Sequence, residues 1–289
     1  MMRIAAALKT AERTLAEAGR DASMAEWWLM HVLDVDRTGL LIRLSDELSA
    51  VEAKAFTDGM ARLLAGEPVQ HLIGQAPFFG RMFEVNRDVL IPRPETEELI
   101  EWVVSHVGAV ADDETVDVGT GSGAIAITLS LELGKRVQTV DISREAIDVA
   151  KRNAEALGAD VVFHEGDCLT PIADASIRVL VSNPPYIEAD ELLDETVAGF
   201  EPHLALFGGV DGLDFYRTII ADSKRVMRAD WQLIAFEIGY NQGQVVKTYL
   251  SERYPEAETG ILKDINGKDR IVYAVREGIA HGNEMDQAD

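Results

Sequence analysis

Cysteine is almost absent from this sequence: Cys168 is the single one among 289 residues. No intramolecular disulfide can form and no paired Cys/His spacing of a zinc site is present, which fits a reducing compartment. Basic residues are scarce as well, 27 Lys+Arg against 50 Asp+Glu, for a net charge of -23. Such a surface speaks against a broad phosphate-backbone footprint, although a local basic groove stays compatible with it. Long apolar runs are missing too. Lys9 interrupts the stretch from Ile4 to Leu8 too soon for the apolar core of a signal peptide. The uncharged run from Val118 to Leu131 is Gly-rich and shorter than the roughly 20 residues a membrane helix needs. Neither export nor membrane insertion is expected, and a cytoplasmic location is. What is abundant is core-forming material: 47% of the residues are hydrophobic, enough for one large domain or two unequal ones.

The first 74 residues carry helical patterning, with Leu8 and Leu15, then Trp27, Trp28, Val32 and Leu33, then Val51, Phe56, Met60 and Leu63 at helical spacing. Aromatic residues so spaced are expected in a helical core, and this covers both Trp27 and Trp28. Gly74 and Pro77 break the pattern. Phe78-Phe79-Gly80-Arg81-Met82-Phe83 then reads as a short β-hairpin within a linker over 75–91. At Pro92-Arg93-Pro94-Glu95-Thr96-Glu97-Glu98 a proline followed by acids marks a helix start, and with it a second domain over 92–277. There, strands alternate with helices: strand Thr115 to Val118, helix Ser122 to Leu133, strand Val137 to Val140, helix Arg144 to Leu157, strand Val161 to His164, and a strand ending at Ser182. That rhythm predicts an α/β fold, a parallel sheet with helices on both faces. A helix from Gly212 to Met227, a strand from Leu233 to Ile238, a helix from Gly243 to Leu250 and a hairpin about Asn266-Gly267 follow. Residues 278–289 have little apolar content and are expected to be a disordered tail.

Four polar or glycine clusters each follow directly after a predicted strand: Gly119-Thr120-Gly121-Ser122-Gly123, then Asp141, then Gly166-Asp167, then Asn183-Pro184-Pro185-Tyr186. In a parallel sheet all four meet at the carboxyl edge, where open α/β sheets bind ligands at the point of strand-order reversal. The glycines allow close backbone approach, and the helix beginning near Ser122 points its positive end at the ligand. Asp141, eighteen residues after Gly123, stands at the spacing where an acid takes ribose hydroxyls. A helix N-cap is its alternative role, with Ser143 as rival. Gly-x-Gly-x-Gly places the third glycine one residue earlier than the dinucleotide fingerprint, and no hydride-handling residue is evident. S-adenosylmethionine therefore fits better than a nicotinamide cofactor. Asp167 could bind the adenine amine or cap a turn, and Cys168 beside it reads as a small pocket or core residue. No metal is required.

The two prolines after Asn183 fix φ twice and remove two backbone donors, so the turn presents carbonyl acceptors in a rigid frame. That frame suits an NH2 group conjugated to a π-system. The lone pair of an amide nitrogen is delocalised, and acceptors at Asn183 Oδ1 and the Pro184 carbonyl, one for each N–H, would aim it at a methyl donor. Tyr186 could cover the planar group. A side-chain amide and an adenine amine both satisfy this chemistry, and the charge of -23 favours a protein acceptor over duplex DNA. A SAM-binding module without catalysis is a third reading, against which the intact clamp argues.

With these residues in place, the chain resembles the peptide chain release factor glutamine methyltransferases of the HemK/PrmC type over most of its length after about Gly66. The resemblance is carried by Gly66-Glu67-Pro68, Phe79-Gly80, Leu90-Ile91-Pro92-Arg93-Pro94-Glu95-Thr96-Glu97, Asp117 to Ile127, Val140 to Ser143, Asn183 to Ile187, Glu201-Pro202, Gly208 to Tyr216, Glu237-Ile238-Gly239 and Asp269-Arg270. Asn-Pro-Pro-Tyr alone is shared by several amino-methyltransferases, and its combination with the other motifs is far more specific. The resemblance implies a class I SAM-dependent methyltransferase domain, Rossmann-like with a seven-stranded, mostly parallel sheet, behind a helical substrate-recognition domain over 1–74. It implies SAM contacts at Gly119, Thr120, Gly121, Ser122, Gly123 and Asp141, and a substrate clamp at Asn183, Pro184, Pro185 and Tyr186. Cys168 stands where relatives often carry a large aromatic residue near the adenine. The implied substrate is the glutamine of the Gly-Gly-Gln loop in release factors, methylated on its side-chain nitrogen with S-adenosylhomocysteine as co-product. A monomer is expected.

Overall fold

A computed structural model describes residues 2–191 and 199–276. The tail expected to be disordered, 278–289, lies outside the described residues. The chain divides into two compact units, the first running to Ala76 and including Gly199 and Phe200, the second starting at Pro77.

The first unit is helical: α1 (Ile4–Glu17), α2 (Ser23–Leu33), α3 (Arg37–Arg43), α4 (Ala50–Leu64) and α5 (Val69–Ile73). Ile4, Leu15, Leu29, Leu40 and Leu63 form its core. A reciprocal Ser49/Glu52 capping box starts α4, satisfying two backbone donors that a helix start leaves open. Trp28 leans on this core and its indole N–H donates to the Phe56 carbonyl at 3.2 Å. Gly59 makes room for that indole, since a Cβ there would overlap the ring. Trp27 departs from the core expectation and stands exposed, because α2 turns its neighbours Ala25, Leu29 and Leu33 inward.

The hairpin β1 (Gln75–Phe78) and β2 (Arg81–Glu84) turns on Phe79 and Gly80, both at positive φ, the two-residue geometry that matches strand twist. Helix α6 (Pro94–His106) begins with Pro94 in its first turn. Then come β3 (Thr115–Val118), α7 (Ala124–Leu133), β4 (Val137–Asp141), α8 (Arg144–Leu157), β5 (Val161–Glu165), β6 (Val179–Ser182), α9 (Asp214–Val226), β7 (Leu233–Glu237), α10 (Gly243–Arg253), β8 (Ala257–Lys263) and β9 (Asp269–Arg276). The seven long-range strands form one sheet in the order β5-β4-β3-β6-β7-β9-β8, and β9 alone runs against the others. This is the class I SAM-dependent methyltransferase fold. The glycine-loop helix starts at Ala124 rather than Ser122, because Gly123 at φ 85 is its left-handed cap.

Alternation within the strands builds two cores. Val116, Val118, Leu180, Ile234 and Phe236 face α9 and α10, packing on Tyr216, Ile219 and Leu250. Val179, Val181, Leu233 and Ala235 face the other way onto Leu99, Ile100 and Val103 of α6 and onto α7. Asn153 of α8 staples irregular chain to this layer. Its Nδ2 donates to the Glu84 and Ser122 carbonyls at 3.0 and 2.8 Å, and its Oδ1 accepts from the Glu84 N–H at 2.7 Å.

Two acids are fully buried in the sheet, Asp117 in β3 and Glu237 at the end of β7. Burial pushes Asp117 up to about 8, opposed by a Thr139 hydroxyl and reinforced by Asp141. Burial likewise pushes Glu237 up to about 7, with Thr96, Arg270 and Asn183 pulling back and Glu95 adding to the rise.

Asn153→Ala should cost about 2–4 kcal/mol in urea unfolding, because three backbone groups lose their partner at once. A loss under about 1 kcal/mol would remove the staple. The buried acids give a pH dependence. Between 4.5 and about 7 the unfolded chain has released the Glu237 proton and the folded chain has kept it. Stability from this group is therefore complete below that window and lost as pH rises through it, by on the order of 3 kcal/mol. Unfolding measured from pH 5 to pH 8 should fall more steeply for the parent than for Glu237→Gln; parallel profiles would contradict the burial argument.

Candidate active site

The strand order reverses between β3 and β6. Val118 pairs with both Val140 and Ser182, and Asp141 with Glu165, so the four sequence clusters leave the sheet at one level. Between them lies a cavity of about 460 Å³, within the range of small-ligand sites. Gly119, Thr120, Gly121, Ser122, Asp141, Asp167, Cys168, Asn183, Pro184 and Pro185 all line it. Gly123 and Tyr186 do not.

All three loop glycines have positive φ. Gly123 is needed for packing: a Cβ there would strike Ile127 and press on Ala150 of α8. The first residues of α7, Ala124 and Ile125, turn its positive end toward the cavity. Thr120 lines the cavity but points its hydroxyl into the sheet, 2.6 Å from that of Thr139. Asp141 is not the cap of α8, because Ser143 holds that place by accepting from the Ala146 N–H at 3.1 Å. The Asp141 carboxylate instead accepts from Gly121 N at 3.0 Å and Ser143 N at 2.9 Å. Burial raises its pKa against these bonds, and lone pairs remain for ligand hydroxyls.

The turn at Asp167 is closed by its main-chain carbonyl, which accepts from the N–H and hydroxyl of Thr170. The Asp167 carboxylate is left exposed on the cavity rim. Cys168 is buried at φ 47. Burial, reinforced by Asp167, pushes its thiol up to about 12, so it is a spacer rather than a nucleophile.

At the other lip, the Asn-Pro-Pro-Tyr turn is gripped from behind. A Cβ on Gly208 would run into the Pro185 carbonyl oxygen, and one on Gly212 into that of Tyr186. Buried Gln242 donates to the Tyr186 carbonyl at 2.8 Å and to that of Gly212 at 3.3 Å, and accepts from Gly239 N at 3.0 Å. Tyr186 packs half-buried against the α9 side of the core. Burial and nearby Glu237 push its phenol up to about 12. Over the cavity, Glu201 joins two irregular segments by accepting from Ile91 N at 3.0 Å and from Arg93 at 2.6 Å.

The residues that a reading of spacing passes over are Thr96, Phe215 and Thr218 in the cavity wall and Glu237 beneath it. Their signal was the motif context around Pro94 and around Asp214, not any periodicity. Asn183 Nδ2 donates to Thr96 Oγ1 at 3.2 Å, and Thr96 Oγ1 donates to Glu237 Oε2 at 2.6 Å. Among the described residues no group of His, Cys, Asp and Glu is placed to hold a metal ion, and no helix is long and apolar enough to cross a membrane.

Known proteins share both units. The PrmC N-terminal domain model matches residues 6–74, and the methyltransferase small domain model matches residues 97–204. A release factor glutamine methyltransferase of Bacillus cereus is 47% identical over 284 residues, covering 96% of this chain and all of that protein. One from Bacillus subtilis is 45% identical over 284 residues, covering 95% of this chain and 98% of its own. In three dimensions a Pyrococcus furiosus methyltransferase matches the fold with a TM-score of 0.51 at 14% identity, covering 76% of this chain and 98% of its own. With relatives this similar over nearly the full length of both sequences, the chain belongs to the release factor glutamine methyltransferase family.

Proposed function

We propose that this protein transfers a methyl group from S-adenosylmethionine to the side-chain amide nitrogen of the glutamine in the Gly-Gly-Gln loop of peptide chain release factors. The observation that carries this reading is one cavity with a glycine loop and Asp141 on one lip and the Asn183 turn on the other.

The first lip fits the cofactor. The backbone N–H groups at the start of α7 suit its carboxylate, and the remaining Asp141 lone pairs suit ribose hydroxyls. Exposed Asp167 suits the adenine amine, and the small Cys168 side chain leaves the ring room. Asp141 raises the pKa of Asp117 beside it, a strain that a cationic ligand relieves. When bound, S-adenosylmethionine supplies a methyl on a positive sulfur: the C–S bond breaks as the C–N bond forms, sulfur keeps the electron pair, and the nitrogen releases one proton to solvent.

The second lip presents acceptors. Asn183 Oδ1 and the Pro184 carbonyl take one N–H each of the acceptor amide, which aims the nitrogen lone pair and steadies the N–H groups as they grow acidic. Their rigidity comes from the double proline, from Gly208 and Gly212 packed behind it, and from Gln242. Tyr186 sits behind the turn and adds shape to it rather than cavity surface. The helical unit over 1–74 supplies release-factor recognition, and the protein works as a monomer in the cytoplasm on a protein substrate without nucleic acid.

Mass spectrometry of a release factor after incubation with the protein and S-adenosylmethionine should find one added methyl on the Gly-Gly-Gln glutamine, while DNA and RNA should take up none. An unmodified glutamine would refute the proposal. Asn183→Ala should keep cofactor affinity within about threefold and lower turnover more than tenfold, about 1.4 kcal/mol of barrier. Unchanged turnover would remove the clamp from the mechanism.

A further inference from the structure

We infer that Glu237, acting through the Thr96 hydroxyl, sets which end of the Asn183 carboxamide faces the cavity, and so makes the site a receptor for NH2 groups. The inference rests on the methyl-transfer reading above.

Parallel pairing of Ser182 with Phe236 puts the next residues, Asn183 and Glu237, side by side at the sheet edge. The first turn of α6 lowers Thr96 onto them, giving the chain Asn183 Nδ2 to Thr96 Oγ1 to Glu237 Oε2 at 3.2 and 2.6 Å. Thr96 is 4% and Glu237 1% exposed, so water does not substitute for a missing partner. A threonine hydroxyl has a single hydrogen, and an ionised carboxylate only accepts. That hydrogen is therefore committed to Glu237, and the lone pairs of Thr96 are left facing Asn183. Only the NH2 end of the carboxamide can meet them. Oδ1 becomes the end available to the cavity that Asn183 lines.

With Glu237 protonated, the chain can run the other way. The acid donates to Thr96, Thr96 donates to Asn183, and the carboxamide swaps ends, two arrangements that differ little in shape. The cavity would then be offered an NH2 group, and an amide acceptor would meet donor against donor. Glu237 is thus a positioning residue, coupled to Asn183 through the two hydrogen bonds of this chain and by a direct one to its carboxamide.

The groups facing Glu237 are Glu95 and Thr96 from α6, Asn183 and Tyr186 from the turn after β6, Tyr216 from α9 and Arg270 from β9. Tyr216 donates to the main-chain carbonyl of Glu237 at 2.7 Å and leaves the carboxylate to the chain. Arg270 favours the ionised form and Glu95 opposes it.

The test uses the full chain with Thr96→Val, which removes the hydroxyl at nearly constant shape, Thr96→Ser, which keeps it, and Glu237→Gln. Turnover on a release factor should fall at least tenfold in Thr96→Val, with cofactor affinity by calorimetry within threefold, and return to within threefold of the parent in Thr96→Ser. Turnover of the parent should lose activity as acid protonates Glu237, and Glu237→Gln should lack that limb. Thr96→Val as active as the parent, or Thr96→Ser as impaired as Thr96→Val, would overturn the inference. Hydrogen exchange of the Asn183 side-chain NH2, followed by NMR in the protein alone, reads the orientation without any acceptor. Protection in the parent should drop at least tenfold in Thr96→Val, and equal exchange in the two would also overturn it. A parent that leaves release factors unmethylated yet shows this protection refutes the proposed substrate and spares the chain.

Discussion

The reversal of strand order between β3 and β6 is the constraint on which the rest of the structure depends. The two strands lie side by side in one direction, but the chain leaving β3 enters α7 on one face, and the chain leaving β6 reaches α9 on the other. Two loops that part from adjacent strands to opposite faces leave a crevice that neither fills. The glycine loop forms one lip and the Asn-Pro-Pro-Tyr turn the other. Nothing in either motif alone creates the cavity; divergence does, and the motifs decide its chemistry.

A crevice edged by irregular chain carries backbone groups that lack ladder partners, and buried ones need a bond. This protein satisfies them with long-range polar side chains, Asn153 in α8, Gln242 at the cap of α10 and Glu201 in irregular chain. Asn153 holds the glycine loop to β2, Gln242 holds the clamp to the Gly212 turn, and Glu201 joins Ile91 to Arg93 over the cavity. Each is at most 6% exposed, so each replaces solvent for the groups it meets. The loops are therefore stiff without being regular, which a site that must aim one lone pair requires.

Much of this was legible in the sequence. Strands β3 and β6 carried apolar runs bounded by glycine or proline, and the βα alternation fixed their direction, so the meeting of four clusters at one edge followed. Where patterns end, reading weakened. The helix after β3 begins two residues late because Gly123 adopts a left-handed cap, a choice that only φ reveals. Trp27 and its neighbour Trp28 share one apolar stretch, yet only Trp28 turns inward, since helical phase depends on what the facing helix leaves open. Asn153 and Gln242 gave no sign of their roles, and Glu237 only the motif that it opens. Each bonds residues at least 20 positions away, and a polar residue in a helix or at a strand end looks like an ordinary solvated one until the fold buries it.

The choice of asparagine at position 183 follows from the same burial. The position must donate toward Thr96, whose hydrogen belongs to Glu237, and must also offer an acceptor to the cavity. An aspartate would accept on both sides, leaving Thr96 with lone pairs facing lone pairs and adding an acid beside Glu237 and Glu95. A serine or threonine could do both but falls short of spanning from the turn to α6. A carboxamide carries donor and acceptor on one planar group, held at a fixed angle. Beside a buried acid, a group with both functions is the economical way to present a neutral oxygen to an incoming NH2, and its polarity is set by the acid it leans on.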